Sequence, residues 1–146
     1  MNFQEFLIKA KKATYANKNA QKKTPNDGSN ELIFKEGDFF YRDRYFGGNP
    51  FLGEEIVFKR NKAIWGMNYQ GKCFSKLKVK KVYSFLKDCL SEVNKNALMR
   101  GPKQIIKDEL KYTNETKGDI DFFVGIEKIF IKDKLVYVCY YHGGLV

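Results

Sequence analysis

The side chains able to move protons in this sequence are few and scattered. His142 is the only histidine, and an imidazole titrating at about 6.5 is the natural candidate for proton transfer. The competing role for a lone histidine at a strand end is structural, hydrogen-bonded to backbone. Glu54 and Glu55 form the sharper acid pair. Successive strand residues point to opposite faces, so one of the two meets the aromatic side and the other meets water. An inward glutamate there is either an acid at a cleft mouth or an edge charge that blocks aggregation. A glycosidase-type pair would need Glu55 together with Asp43 or Asp38 from another strand. One histidine without any ligand spacing assembles no metal site, and no cofactor is expected. Cys73, Cys89 and Cys139 are odd in number and widely spaced. That argues against a disulfide framework or a zinc site, and two of the three fall on apolar faces where cysteine behaves as a small hydrophobe.

These residues depend on the stretch 35–69, KEGDFFYRDRYFGGNPFLGEEIVFKRNKAIWGMNY, where apolar and polar residues alternate and Glu36-Gly37, Gly47-Gly48-Asn49-Pro50 and Arg60-Asn61-Lys62 interrupt the runs. Period-two alternation between turn signals predicts consecutive antiparallel strands, most simply a three-stranded meander. Phe39, Tyr41, Asp43 and Tyr45 share one face, and Trp65, Met67 and Tyr69 share another. Either these aromatics are core or one face lines a cleft. In the cleft reading, Tyr41, Tyr45, Trp65, Asn68 and Tyr141 line it, and Glu55, Arg100 and His142 orient the ligand.

Around the meander, Phe3, Phe6, Leu7, Ala10 and Ala13 recur at helical spacing, predicting a helix from Asn2 to about Tyr15 with Asn2 as cap. Residues 17–30 (NKNAQKKTPNDGSN) lack periodicity and read as a mobile loop. Leu32 to Phe34 is a short strand. Val82 to Val93 is a second amphipathic helix, with Ser75 as candidate cap and Arg100-Gly101-Pro102 as stop. Strands are expected at Leu110 to Thr113, at Ile120 to Ile131 with a break near Gly125, and at Leu135 to Tyr141, the last two joined at Lys132-Asp133-Lys134. Tyr140-Tyr141-His142-Gly143-Gly144 echoes Tyr45-Phe46-Gly47-Gly48. The two halves share a style, helix then strands, with too few identities to define a repeat.

The predicted architecture is one α+β domain over residues 1–146, with two helices packed on a curved, mostly antiparallel sheet of about six or seven strands. No apolar run is long enough to span a membrane, and residues 1–12 lack a signal core, so the expectation is a cytoplasmic protein. The formal net charge of +10 favours anionic partners. Nucleic acid bound by Lys9, Lys11, Lys12, Lys76, Lys80 and Lys81 is therefore the alternative to a small-molecule or protein ligand. The acids of the meander oppose phosphate there. A third reading is a small hydrolase or lyase using His142 or Glu55, though the chemistry on view leans away from an enzyme.

The blocks KAKKATYA (9–16), EGDFFYRDRYFGG (36–48), FLGEE (51–55), WGMNYQG (65–71), RGP (100–102) and CYYHGGLV (139–146) resemble an uncharacterised bacterial domain family. Its members occur alone or behind a helix-turn-helix DNA-binding domain. The resemblance implies no catalytic residues. It implies an effector-sensing or protein-interaction module.

Overall fold

A computed structural model describes residues 1–146. Helix α1 spans Phe3–Ala13 and helix α2 spans Val79–Ser91, and each precedes four strands: β1 (Asn30–Glu36), β2 (Phe39–Gly47), β3 (Phe51–Lys59), β4 (Lys62–Cys73), then β5 (Gln104–Lys107), β6 (Leu110–Asp119), β7 (Phe122–Ile131) and β8 (Lys134–Leu145). The sheet has eight strands rather than six or seven, in the order β1-β2-β3-β4-β8-β7-β6-β5. The strand that was not expected is β5, four residues too short to show periodicity; β1 is the short strand expected at Leu32 to Phe34, extended at both ends. β7 runs unbroken through Gly125.

Asn2 caps α1 as expected: its side chain accepts from the Glu5 amide while Glu5 reaches back to the Asn2 N–H, a reciprocal capping box. α2 starts earlier than predicted and without a side-chain cap, since Lys78 and not Ser75 occupies the cap position. Its entry is held instead by burial of Val82, Phe85, Leu86, Cys89 and Leu90. The apolar stripes of both helices and the inward faces of the strands form a single core. Both helices therefore cover the same side of the sheet, and the other side carries no helix.

The palindromic strand order reflects an internal duplication that the sequence patterns alone did not define. β4 and β8 pair antiparallel, Tyr69 opposite Tyr141, and each half is a helix followed by a four-stranded meander. Residues 72 positions apart are structural equivalents: Phe51 and Phe123, Gly53 and Gly125, Glu55 and Glu127, Phe58 and Phe130, Tyr69 and Tyr141, Gly71 and Gly143. The irregularities recur as well. The register shifts at Val57/Phe58 and again at Ile129/Phe130, and both hairpins turn on pairs with positive φ, Arg60-Asn61 and Lys132-Asp133, the backbone that matches strand twist in two-residue turns. One residue fewer separates the equivalents in β2 and β6, Tyr41 with Tyr112 and Asp43 with Asn114, because four residues lie between the paired Gly118 and Phe123 and three between the paired Gly47 and Phe51. The terminal Tyr-His-Gly-Gly thus corresponds to Tyr69-Gln70-Gly71, not to the Tyr-Phe-Gly-Gly of β2.

Two of the shared glycines have a steric reason. A Cβ on Gly53 would come within 2.6 Å of the Tyr69 hydroxyl, and one on Gly125 within 2.1 Å of the Tyr141 ring, so each leaves room for the tyrosine on the neighbouring strand.

Candidate functional site

Alternation along the central strands delivers Asp43 and Glu55, cross-strand neighbours, to the helix-covered face together with Tyr41, Trp65 and Tyr69, all buried. α1 contributes Lys11 from its last turn, and the segment after α2 contributes Arg100; both are buried as well. Two acid-base pairs result. Lys11 Nζ lies 2.8 Å from Glu55 Oε2 and donates to the Met99 carbonyl at 2.6 Å. Arg100 grips Glu127 with both ends, Nη2 to Oε1 at 2.8 Å and Nε to Oε2 at 3.2 Å.

The surroundings of the two glutamates differ. Glu127 also accepts from the hydroxyls of Tyr112 (2.5 Å) and Tyr137 (2.8 Å), and the network extends through the Gly101 amide and carbonyl to Tyr112 and Asn114. Tyr141 donates to Asn114 and shares a further hydroxyl contact with Thr116. Glu55 has only Lys11: its Oε1 has no partner, and neither do the neighbouring hydroxyls of Tyr41 and Tyr15. Burial pushes the Lys11 ammonium below the ordinary lysine range, against the pull of Glu55.

Asp43 stands where the second half has the neutral Asn114. Tyr69 donates to its Oδ1, and burial followed by repulsion from Glu55 raises its carboxyl to about 7. A carboxylic acid held there exchanges its proton near neutral pH, the condition for acid-base work or proton-linked binding. The Tyr69, Tyr15 and Tyr41 hydroxyls are pushed well above the usual tyrosine range, by burial first and then by the nearby carboxylates, so all three stay protonated donors.

Asp43, Tyr69 and Arg100 form the floor of a cavity of about 640 Å³ between β1–β4, the segment after α1 and α2. Its walls are Tyr15, Tyr45, Phe51 and Tyr83 with Leu32, Val79, Leu86 and Leu90, and Lys18, Lys22 and Lys87 stand among its polar lining residues. Asn49 ties one side together, bonding the Cys73 backbone through both its amide groups and accepting from Tyr83. The loop residues 17–22 are thus part of the wall, and Lys23 pairs with Glu31 beyond them.

Of the residues expected to form a cleft, Tyr45 and Arg100 line this cavity. Tyr41, Glu55, Trp65 and Tyr141 are fully buried: their strand faces point under the helices, which makes them core. Trp65 stacks on Phe123 and donates its indole N–H to the Ile120 carbonyl. Asn68 and His142 are paired across β4 and β8 on the helix-free face, exposed and without side-chain hydrogen bonds. No residue orients His142 for proton transfer. Among the lysines proposed for nucleic acid, Lys11 is sealed in the core, Lys9 pairs with Glu36 and Lys81 with Glu109; only Lys12, Lys76 and Lys80 stand free. Asp43 was visible in the alternation of β2, but its partners come from β4, α1 and the segment after α2, and no spacing announces them. All three cysteines are free and buried, and no cluster of three metal-ligating side chains exists.

Fold and site together define an α+β protein built from two copies of a helix-plus-meander unit, closed by polar bonds in the second copy and open on a cavity in the first. Over residues 43–146 the chain matches a domain of unknown function, DUF5680, and it belongs to that family. No curated protein and no solved structure matches it. No helix is long and apolar enough to cross a membrane.

Proposed function

We propose that the protein is a small-molecule-binding module whose ligand occupies the cavity above Asp43. The observation that carries this reading is a buried carboxyl, tied to Tyr69 and pushed up by burial, on the lining of a space of about 640 Å³, where the duplicate half has an amide inside a saturated network. A buried acid costs free energy, and an opening of ligand size beside it, mostly aromatic with a few polar groups, has the form of a binding site. An effector-sensing role in the bacterial cytoplasm, alone or alongside DNA-binding domains, fits this reading through the family resemblance. Catalysis through Glu55 or His142 finds no support: the first is sealed against Lys11, and the second lies on the opposite face.

The test is a thermal-shift screen against metabolites at low and high salt, run on the wild type and on Val79→Trp, which fills the cavity from the start of α2. A ligand binding only the native state raises the midpoint. The reading expects a small molecule that does so at both salts in the wild type and not in a folded Val79→Trp. Shifts by polyanions alone, at low salt alone, would overturn it.

A further inference from the structure

The charges around the cavity are arranged by sign. The acid is at the floor. The one cation there, Arg100, is committed to Glu127 through two hydrogen bonds. Lys18 and Lys22, from the segment after α1, and Lys87, from α2, line the same cavity. Lys18 is anchored to Asp88 at 3.0 Å and to the Ser84 hydroxyl at 3.1 Å. Lys22 and Lys87 have no acid within ion-pair distance, and Lys22 lies 5.3 Å from the centre of the Tyr45 ring. The Lys87 ammonium is pushed down, first by burial and then by Lys22 and Lys18, so these like charges feel one another. Two cations without acid partners on the lining of one cavity are relieved by an anion. Tyr45, Phe51 and Tyr83 line the same cavity, rings that favour a flat partner over a flexible chain.

We infer that the ligand is a planar aromatic compound bearing one anionic group, phosphate or carboxylate, received by Lys22 and Lys87 while the ring lies among the tyrosines and a hydrogen-bonding edge reaches Asp43. This rests on the cavity being the ligand site. The orientation follows from the signs. An anion at the floor would meet Asp43, whereas at the other end it meets Lys22 and Lys87, the acid there, Asp88, being taken up by Lys18, and the inner edge of the ring is left to exchange hydrogen bonds with a carboxyl able to donate or accept.

The experiment measures binding by calorimetry for charged and neutral members of matched pairs: AMP with adenosine, UMP with uridine, indole-3-acetate with indole-3-acetamide, and 4-hydroxybenzoate with 4-hydroxybenzamide. Each is measured on the wild type, on Lys22→Gln/Lys87→Gln, whose surface changes leave the core untouched, and on Val79→Trp. The expected result is that the charged member of at least one pair binds about tenfold or more tightly than its neutral partner, in line with hydrogen bonds to charged groups. The double variant should lose that preference while keeping affinity for the neutral member. The phosphate and carboxylate arms separate the two anion sources. A neutral member that binds and is lost in Val79→Trp, with no gain from charge, overturns the anion inference and leaves the cavity reading standing. A charge preference that survives in the double variant also overturns the inference. If no member binds, or if binding is indifferent to Val79→Trp, the inference falls together with the cavity reading.

Discussion

The two halves of this protein repeat one unit, and they treat the same buried position in opposite ways. In the second half Glu127 accepts four hydrogen bonds from Arg100, Tyr112 and Tyr137, and Asn114 joins Tyr141 to the Gly101 carbonyl. In the first half Glu55 has one partner, the Tyr41 hydroxyl none, and Asn114 is replaced by Asp43. The second half shows that this fold can satisfy the centre of its sheet completely. An unfinished network at the equivalent place, next to a cavity, is therefore a property of the first half's residues and not a demand of the architecture. Buried polar groups left unpaired reduce stability, and incomplete pairing of this kind is characteristic of sites rather than of scaffolds.

The comparison is broken most severely at the glutamates. Glu127→Gln leaves the Arg100 guanidinium buried and charged without its counter-ion, and should cost about 3–5 kcal/mol in urea unfolding. Glu55→Gln should cost less, roughly 1–3 kcal/mol, because Lys11, already depressed by burial, can release its proton whereas an arginine cannot. Equal losses at the two sites would contradict the view that the halves differ in how tightly the network is closed.

Asp43→Asn copies the second half's solution into the first. The folded-state pKa of Asp43, about 7, lies above its unfolded value near 3.8. The native state then holds the proton more tightly, and stability falls as pH rises from about 4 to about 7. The variant should equal the wild type near pH 4 and exceed it at pH 8, by up to about 4 kcal/mol for a shift of this size. Urea midpoints across that range check it, and a pH-independent difference would exclude Asp43 as the titrating group. Ligand binding should lose its pH dependence around neutrality in the same variant.

The tyrosines give the smallest effect. Tyr112→Phe removes a donor to Glu127 and should cost about 1.5–3 kcal/mol, whereas Tyr41→Phe deletes a hydroxyl that has no partner and should be neutral or slightly stabilising. A cost at Tyr41 matching that at Tyr112 would mean that Tyr41 is satisfied after all.

Much of this arrangement was legible in the chain. Period-two alternation put Tyr41, Asp43 and Tyr45 on one face, separated Glu54 from Glu55, and placed Trp65, Met67 and Tyr69 together; the capping pattern at Asn2 set the first helix. These are local properties, dictated by strand and helix geometry. The duplication was present as shared glycines, glutamates and tyrosines 72 residues apart. It is recognisable once the register aligns Tyr69 with Tyr141, because the identical residues are the ones that pack around one another across strands and not a contiguous motif.

What the chain by itself determined is which face each residue takes and where the turns fall, since backbone sterics act over a few neighbours. Which face is covered, and by what, was a decision of the tertiary structure. Both helices settle on one side, so Trp65, Tyr141 and Glu55 become core, His142 and Asn68 are left on the bare side, and Lys11 is drawn from an apparently solvated helix into an ion pair with Glu55. Lys11 meets Glu55 across 44 positions, and Asp43 finds Tyr69 across 26. The energy of such pairs depends on separation and burial, which no spacing in the sequence encodes.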